Sequence, residues 1–329
     1  MTHPLALPVH LPVLPRKLAE RTAVLVGVGG LGTEVARLLA QAGLGRIVLC
    51  DPDTVEESNL SRGALFGRDD VGRFKVTAAA AALRRIAPAI DVVERADDFR
   101  HGVGLGELRA ADLVLSCLDS VADRVVLGSR CILSGNPSGL LDAGLHPWGG
   151  EVRHYTADGP CHACGCSPVD RSMPTWRTAC GLPEQLGAPA AIVTLVAAWQ
   201  ALWAERLLLG EPLPATFVKI EPANGLCRMV EQPRDLRCPC HRVIDDGHVT
   251  RTDLTNRSTV GALQGLVMGG ERVQSWNPID RSDPLSPLSL RAADSGMTLE
   301  DLGIPPLEIL PVLRVLPVRQ ARYLALREI

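Results

Sequence analysis

The chain has 329 residues, 46% of them hydrophobic, and a formal net charge of −3. That is enough to bury one large core, or a large and a small one. The near-neutral charge excludes a protein that holds nucleic acid or an anionic membrane surface by bulk electrostatics.

In chain order, "TAVLVGVGGLG" reads as a strand entering a glycine turn, and "GTEVARLLAQAGLG" has helical periodicity ending at glycine. "RIVLC" is a second strand. "VTAAAAALRRIAP" is a helix stopped by Pro88, and "IDVVE" is a third strand. "ADLVLSC" (Ala111 to Cys117) is a fourth, followed by a helix through "VADRVVLGSRCIL", and "GLLDAGL" is a fifth. Apolar strands alternating with helices predict an α/β fold, a parallel sheet covered on both faces. Ligands of such sheets sit beyond the carboxyl ends of the strands, so the glycine loop, Asp51 and Asp119 should share one crevice.

After Gly149 the texture changes: "GGEVRHY", "TFVKIEP" and "GLCRMVEQ" alternate like antiparallel strands. The longest apolar stretch, Ala188 to Gly210, contains Thr194, Gln200, Glu205 and Arg206, which fits a buried helix or a subunit interface better than a membrane span. Beyond the polar stretch "DDGHVTRTDLTNRS" the expected elements are a helix ("TVGALQGLVM") and strands in "ERVQSW", "LEILPVL" and "ARYLALRE". Residues 1–244 are therefore read as the main domain and 245–329 as a small appended α+β domain. The N-terminal segment is apolar but broken by prolines and lacks a basic leader. With ten cysteines, this points to a reducing, cytoplasmic setting and to metal or thiol chemistry rather than disulfides.

Gly27, Gly29, Gly30 and Gly32 form G-x-G-G-x-G between a strand and a helix. Such glycines let backbone N–H groups approach a phosphate chain, and a helix N-terminus favours its charge. Asp51 follows the second strand, 24 residues beyond Gly27, where a carboxylate grips a ribose in dinucleotide folds. Only three of the 34 basic residues are lysines, Lys17, Lys75 and Lys219, which singles out Lys75 in the block that follows.

That block, "VEESNLSRGALFGRDDVGRFK", resembles the pattern V-E-x-S-N-L-x-R-Q-x-L-F-x-x-x-D-V-G-x-x-K of the ThiF/MoeB/HesA superfamily, the ubiquitin-activating-enzyme-like adenylyltransferases. Asp51, Asp53, Glu56, Ser58, Asn59, Arg62, Phe66, Asp70, Gly72 and Lys75 fall in register, and the likeness extends over roughly Arg16 to His241. The resemblance implies a Rossmann-like, mostly parallel sheet that binds ATP and Mg2+. Asp51 would hold the ribose, Asn59, Arg62 and Lys75 would face the phosphates, Asp119 would match the magnesium-linked aspartate, and Arg124 would be the arginine of D-x-x-x-x-R. Asp119 also precedes a helix, so an N-cap role competes with the metal role. An NAD-dependent oxidoreductase is disfavoured, because the SNL-x-R block has no task in hydride transfer.

"CHAC" and "CPCH" place Cys161 and Cys164 about seventy residues from Cys238, Cys240 and His241, a spacing suited to a tetrahedral Zn2+ pinning two loops. The expected ligands are Cys161, Cys164, Cys238 and His241, with Cys240 as the substitute and Cys166 as a bystander. In those family members that form thioesters or persulfide-linked adducts a cysteine in the region of Cys180 is the acceptor, while others only adenylate, and here that role is set against plain packing. Two departures stand out. The glutamine that usually follows the motif arginine is Gly63. The family's N-terminal R-Y-x-R-Q arginine has no match, Arg16 being too close to the first strand. The resemblance implies an ATP-dependent adenylyltransferase activating the C-terminal carboxylate of a ubiquitin-like sulfur carrier protein or a ribosomal peptide. The enzyme would be a homodimer using residues 188–210, without nucleic acid or membrane partners. The competing class is a non-catalytic scaffold subunit that binds a carrier or catalytic partner.

Overall fold

Short runs of Val, Leu and Ile build the centre of an eight-stranded sheet. The computed structural model describes residues 18–165, 188–238, 240–276, 295–314 and 320–328. Strands β1 (Thr22–Val26), β2 (Arg46–Cys50), β3 (Asp91–Arg95), β4 (Leu113–Ser116) and β5 (Leu140–His146) run parallel in the order β3-β2-β1-β4-β5. The chain then reverses through β6 (Gly149–Tyr155), β7 (Phe217–Glu221) and β8 (Leu226–Val230), all antiparallel to their neighbours. This is the mostly parallel sheet with an antiparallel extension that the sequence predicts.

Both faces are covered, because the central strands are apolar on both sides. Helices α1 (Gly30–Gln41), α2 (Lys75–Ile86) and α6 (Ala190–Leu208) bury one face. Helices α3 (Phe99–Gly102), α4 (Leu105–Ala110) and α5 (Val121–Ser134) bury the other. Helix α6 is apolar and long enough to cross a bilayer by composition alone, but it packs on the sheet. The Gln200 Nε2 donates to the carbonyls of Ser116 and Leu141, each at 3.0 Å, a polar bond made inside the protein core. Helices α3 and α4 are too short to show a periodic pattern in the sequence.

The C-terminal part forms a second sheet from β9 (Val249–Arg251), β10 (Glu271–Val273), β11 (Ile309–Arg314) and β12 (Gln320–Ala325), in the order β10-β11-β12-β9. Strand β9 lies in the stretch read as a polar connector. It is a three-residue edge strand with largely exposed side chains, so it lacks apolar alternation. Helix α7 (Val260–Gln264) is shorter than expected and ends at Gly265. Ile309 of β11 joins the core formed by Val24, Phe99 and Leu127. Beside it, both carboxylate oxygens of Glu308 are engaged. One accepts from the N–H groups of Leu105 and Ile309, at 3.0 and 2.9 Å, and the other from Arg130 at 2.9 Å.

Candidate active site

The glycine loop is held at the carboxyl edge of the sheet by close backbone packing. Gly27 has φ of +91°, and a Cβ there would fall 2.7 Å from the Cys117 carbonyl oxygen and 3.2 Å from the Leu118 nitrogen. The loop thus rests on the segment that leads from β4 to Asp119. A Cβ on Gly32 would strike the Gly27 carbonyl, so α1 can start this tightly only with glycine.

Asp51 is 7% exposed and shapes the same loop. One carboxylate oxygen accepts from the Val28 N–H at 2.6 Å and the other from the Asp53 N–H at 2.9 Å. Burial pushes its carboxyl pKa up, opposed by Lys75 and by these two N–H groups. Lys75, the first residue of α2, places Nζ 2.7 Å from Asp53 and 4.0 Å from Asp51. The structure therefore brings Asp51, Asp53, Lys75 and the glycine loop into one connected cluster.

Residues 57–61 form a 3₁₀ turn. The Asn59 Oδ1 accepts from the Glu56 N–H at 3.0 Å, and Nδ2 has only a long, 3.4 Å contact with Ser58. Arg62 follows and lies over the loop, its Cγ 3.0 Å from where a Gly30 Cβ would sit. Among the described residues its guanidinium has no hydrogen-bond or ion-pair partner. Thr33, which sequence reasoning missed, ties the two segments together: it donates to the Gly29 and Gly30 carbonyls and accepts from the Ala64 N–H at 3.1 Å. Gly63, where relatives carry glutamine, has a packing reason. A Cβ there would lie 2.5 Å from the Phe66 ring.

Asp119 is exposed at the carboxyl end of β4 and is not a helix cap. Ser120 caps α5, accepting from the Asp123 N–H at 3.3 Å. That leaves the Asp119 carboxylate without a hydrogen bond or ion pair among the described residues, just beyond Cys117 and Leu118, on which Gly27 of the loop rests. Arg124 points inward, donating from Nε to the Leu118 carbonyl at 2.7 Å.

Cys161, Cys164, Cys238 and His241 converge, their ligand atoms all within 4.8 Å of one another. The Cys161 sulfur is 3.6 Å from those of Cys164 and Cys238, and the Cys164 sulfur is 3.2 Å from the His241 Nε2. Tetrahedral zinc–thiolate geometry places sulfurs about 3.8 Å apart, so the group can hold such an ion. The His241 Nδ1 faces the Ala157 carbonyl at 3.2 Å, which turns Nε2 inward. His241 lies with the three cysteines, and Cys240 sits against the same cluster, its side chain hydrogen-bonded to those of Cys161 and Cys238. The cluster packs on Val125 and Ile132 of α5.

The ThiF family model matches residues 8–240. The chain belongs to the ThiF family. Among curated relatives, it is 35% identical over 213 residues to the adenylyltransferase and sulfurtransferase MOCS3 of Bos taurus, covering 61% of this chain and 46% of that protein. It is 31% identical to MOCS3 of Drosophila grimshawi, covering 71% of this chain and 51% of that one. The chain thus spans about half the length of these relatives. Among solved structures, Escherichia coli MccB with ATP superposes with a TM-score of 0.57 at 22% identity, over 69% of this chain and 68% of that one, a likeness of fold. Within this ThiF chain, Cys180, Cys166 and Arg16 lie outside the described residues.

Proposed function

We propose that this protein is an ATP-dependent adenylyltransferase acting on the C-terminal carboxylate of a ubiquitin-like carrier protein or a peptide. The observation that carries the reading is the Arg62 guanidinium, unpaired among the described residues and laid over a glycine loop, with Lys75 tied to the same loop through Asp51 and Asp53. In the reaction a carboxylate oxygen attacks the α-phosphorus of ATP, and pyrophosphate leaves. Backbone N–H groups of the loop and α1 would hold phosphate oxygens. Arg62 and Lys75 would offset negative charge as it shifts to the leaving group. Asn59 has its amide N–H groups largely free to bond phosphate oxygens. Asp51, with its two remaining lone-pair directions, would accept from a ribose hydroxyl.

Asp119 carries a carboxylate unengaged among the described residues and would hold Mg2+, whose positive charge would screen the phosphates. Cys161, Cys164, Cys238 and His241 would hold Zn2+ as a structural pin between two loops. Relatives favour this class: MOCS3 is named an adenylyltransferase and sulfurtransferase, and MccB has been crystallised with ATP and with MccA. Transfer of the acyl group to Cys180, and a homodimer using residues 188–210, extend the proposal.

The test is carboxylate-dependent exchange of labelled pyrophosphate into ATP across Gly-Gly-ending carriers and short peptides. One substrate should stimulate exchange, and Lys75→Ala and Asp119→Ala should each lower it about 10²- to 10³-fold. ATP binding with no exchange for any carboxylate would favour the scaffold reading instead.

A further inference from the structure

Strand β5 reads Leu-Leu-Asp-Ala-Gly-Leu-His, and its one carboxylate, Asp142, is fully buried. Asp142 is level with Ser116 at the end of β4 and with Arg153 on β6. Neither carboxylate oxygen has a hydrogen-bond partner among the described residues. Arg153 is not its counter-ion: Arg153 bonds Glu151 at 2.8 Å and Gln232 at 3.1 Å, and stacks on Phe217. The cation that faces Asp142 is Arg124, with Nη1 at 3.7 Å. Arg124 itself is buried. It lies flat across β5, where a Cβ on Gly144 would fall 2.3 Å from its Nη1. Its Nε meanwhile donates to the carbonyl of Leu118, one residue before Asp119.

We infer that Asp142 is a positioning residue, whose buried charge holds Arg124 in place so that Arg124 fixes the Leu118–Asp119 segment at the edge of the glycine loop. A buried ion pair adds little to stability compared with apolar side chains of the same volume, so a charge in this apolar strand needs another reason. Orientation supplies one. Arg124 spends Nε on the Leu118 carbonyl, and the long-range pull of Asp142 keeps its Nη groups over Gly144 rather than swung toward the phosphate site. Without Asp142 the arginine would be free to turn outward and release Leu118. The inference rests on the proposed adenylation chemistry for its effect on rate, but not for the anchor itself.

The test compares wild type, Asp142→Asn, Arg124→Gln and the double variant, by pyrophosphate exchange and by amide hydrogen exchange over residues 117–124. Asp142→Asn keeps the shape and removes the charge. It should lower the maximal exchange rate about 10- to 100-fold, change the KM for ATP by less than about threefold, and raise the Mg2+ concentration needed for half-maximal rate. Arg124→Gln should do the same, and the double variant should be no worse than the slower single. Amides of residues 118–120 should exchange faster in all three variants. A purely structural role would instead lower the melting temperature with rate and loop protection intact, and that result overturns the inference. If wild type shows no exchange with any carboxylate, the adenylation reading fails alone, because loop protection still reports on the anchor. Faster amide exchange in Asp142→Asn would then support it, and unchanged protection would refute it.

Discussion

Removing the carboxylate of Glu308 tests whether the C-terminal sheet is integral to the fold. The Glu308 and Arg130 side chains are 2% and 6% exposed, with the carboxylate 2.9 Å from the guanidinium. The other carboxylate oxygen accepts from the first N–H of α4 and from Ile309. Glu308→Ala takes the carboxylate partner from the Arg130 cation, which keeps its bond to the Val103 carbonyl, and two buried N–H groups lose their acceptor. Breaking a buried pair on one side costs about 3–5 kcal/mol. Each orphaned N–H adds about 1–3 kcal/mol before relaxation, and water entry would recover part of this. These contributions sum to about 5–11 kcal/mol before relaxation, and with water entry the expected loss is at the low end, about 5 kcal/mol. Glu308→Gln, which keeps an acceptor for the N–H groups, should lose about half as much. The paired change Arg130→Met with Glu308→Leu should recover most of the loss, since an apolar pair removes the uncompensated charge. Urea unfolding followed by tryptophan fluorescence and circular dichroism would measure these values. A loss below about 1 kcal/mol for Glu308→Ala, or a C-terminal sheet that melts in its own early transition in wild type, would refute the reasoning.

Two further outcomes are expected. Purified protein should carry one zinc ion per chain by atomic emission, and His241→Ala should release it to a chelator at least about tenfold faster, while Cys240→Ser should retain it. The Arg322 fork bonds both oxygens of Glu271 and holds its carboxyl down at about 2. A depressed folded pKa gives stability that is present above the unfolded value, near 4.5, and is lost as pH falls toward about 2. Wild type should therefore lose urea resistance over that window more steeply than Glu271→Gln, and identical profiles would remove the pair as the cause.

Much of the architecture was legible because it rests on local patterns. Apolar runs such as "TAVLV" and "RIVLC" must bury both faces, which dictates a parallel sheet between helices. Gly27 and Gly32 of the loop show up because backbone packing there forbids a Cβ. Spacing alone paired Cys161 and Cys164 with Cys238 and His241, but Cys240 and His241 stayed rivals. Only the fold shows that the His241 ring, turned by the Ala157 carbonyl, reaches the cluster. Likewise, Asp119 and Ser120 are both good caps by residue type. The turn out of β4 gives the helix N-terminus to Ser120 and leaves Asp119 facing outward. Arg124 reads in sequence only as the arginine of D-x-x-x-x-R, whereas its burial against Asp142 comes from a strand that lies 18 residues further along the chain. Arg130 and Glu308 are separated by 178 residues and carry no mark of each other in the sequence. Residue type and spacing thus determined which chemistry the chain can hold. The partner of each buried charge was decided only by folding, because the cost of burying it depends on what the tertiary structure places within a few ångströms.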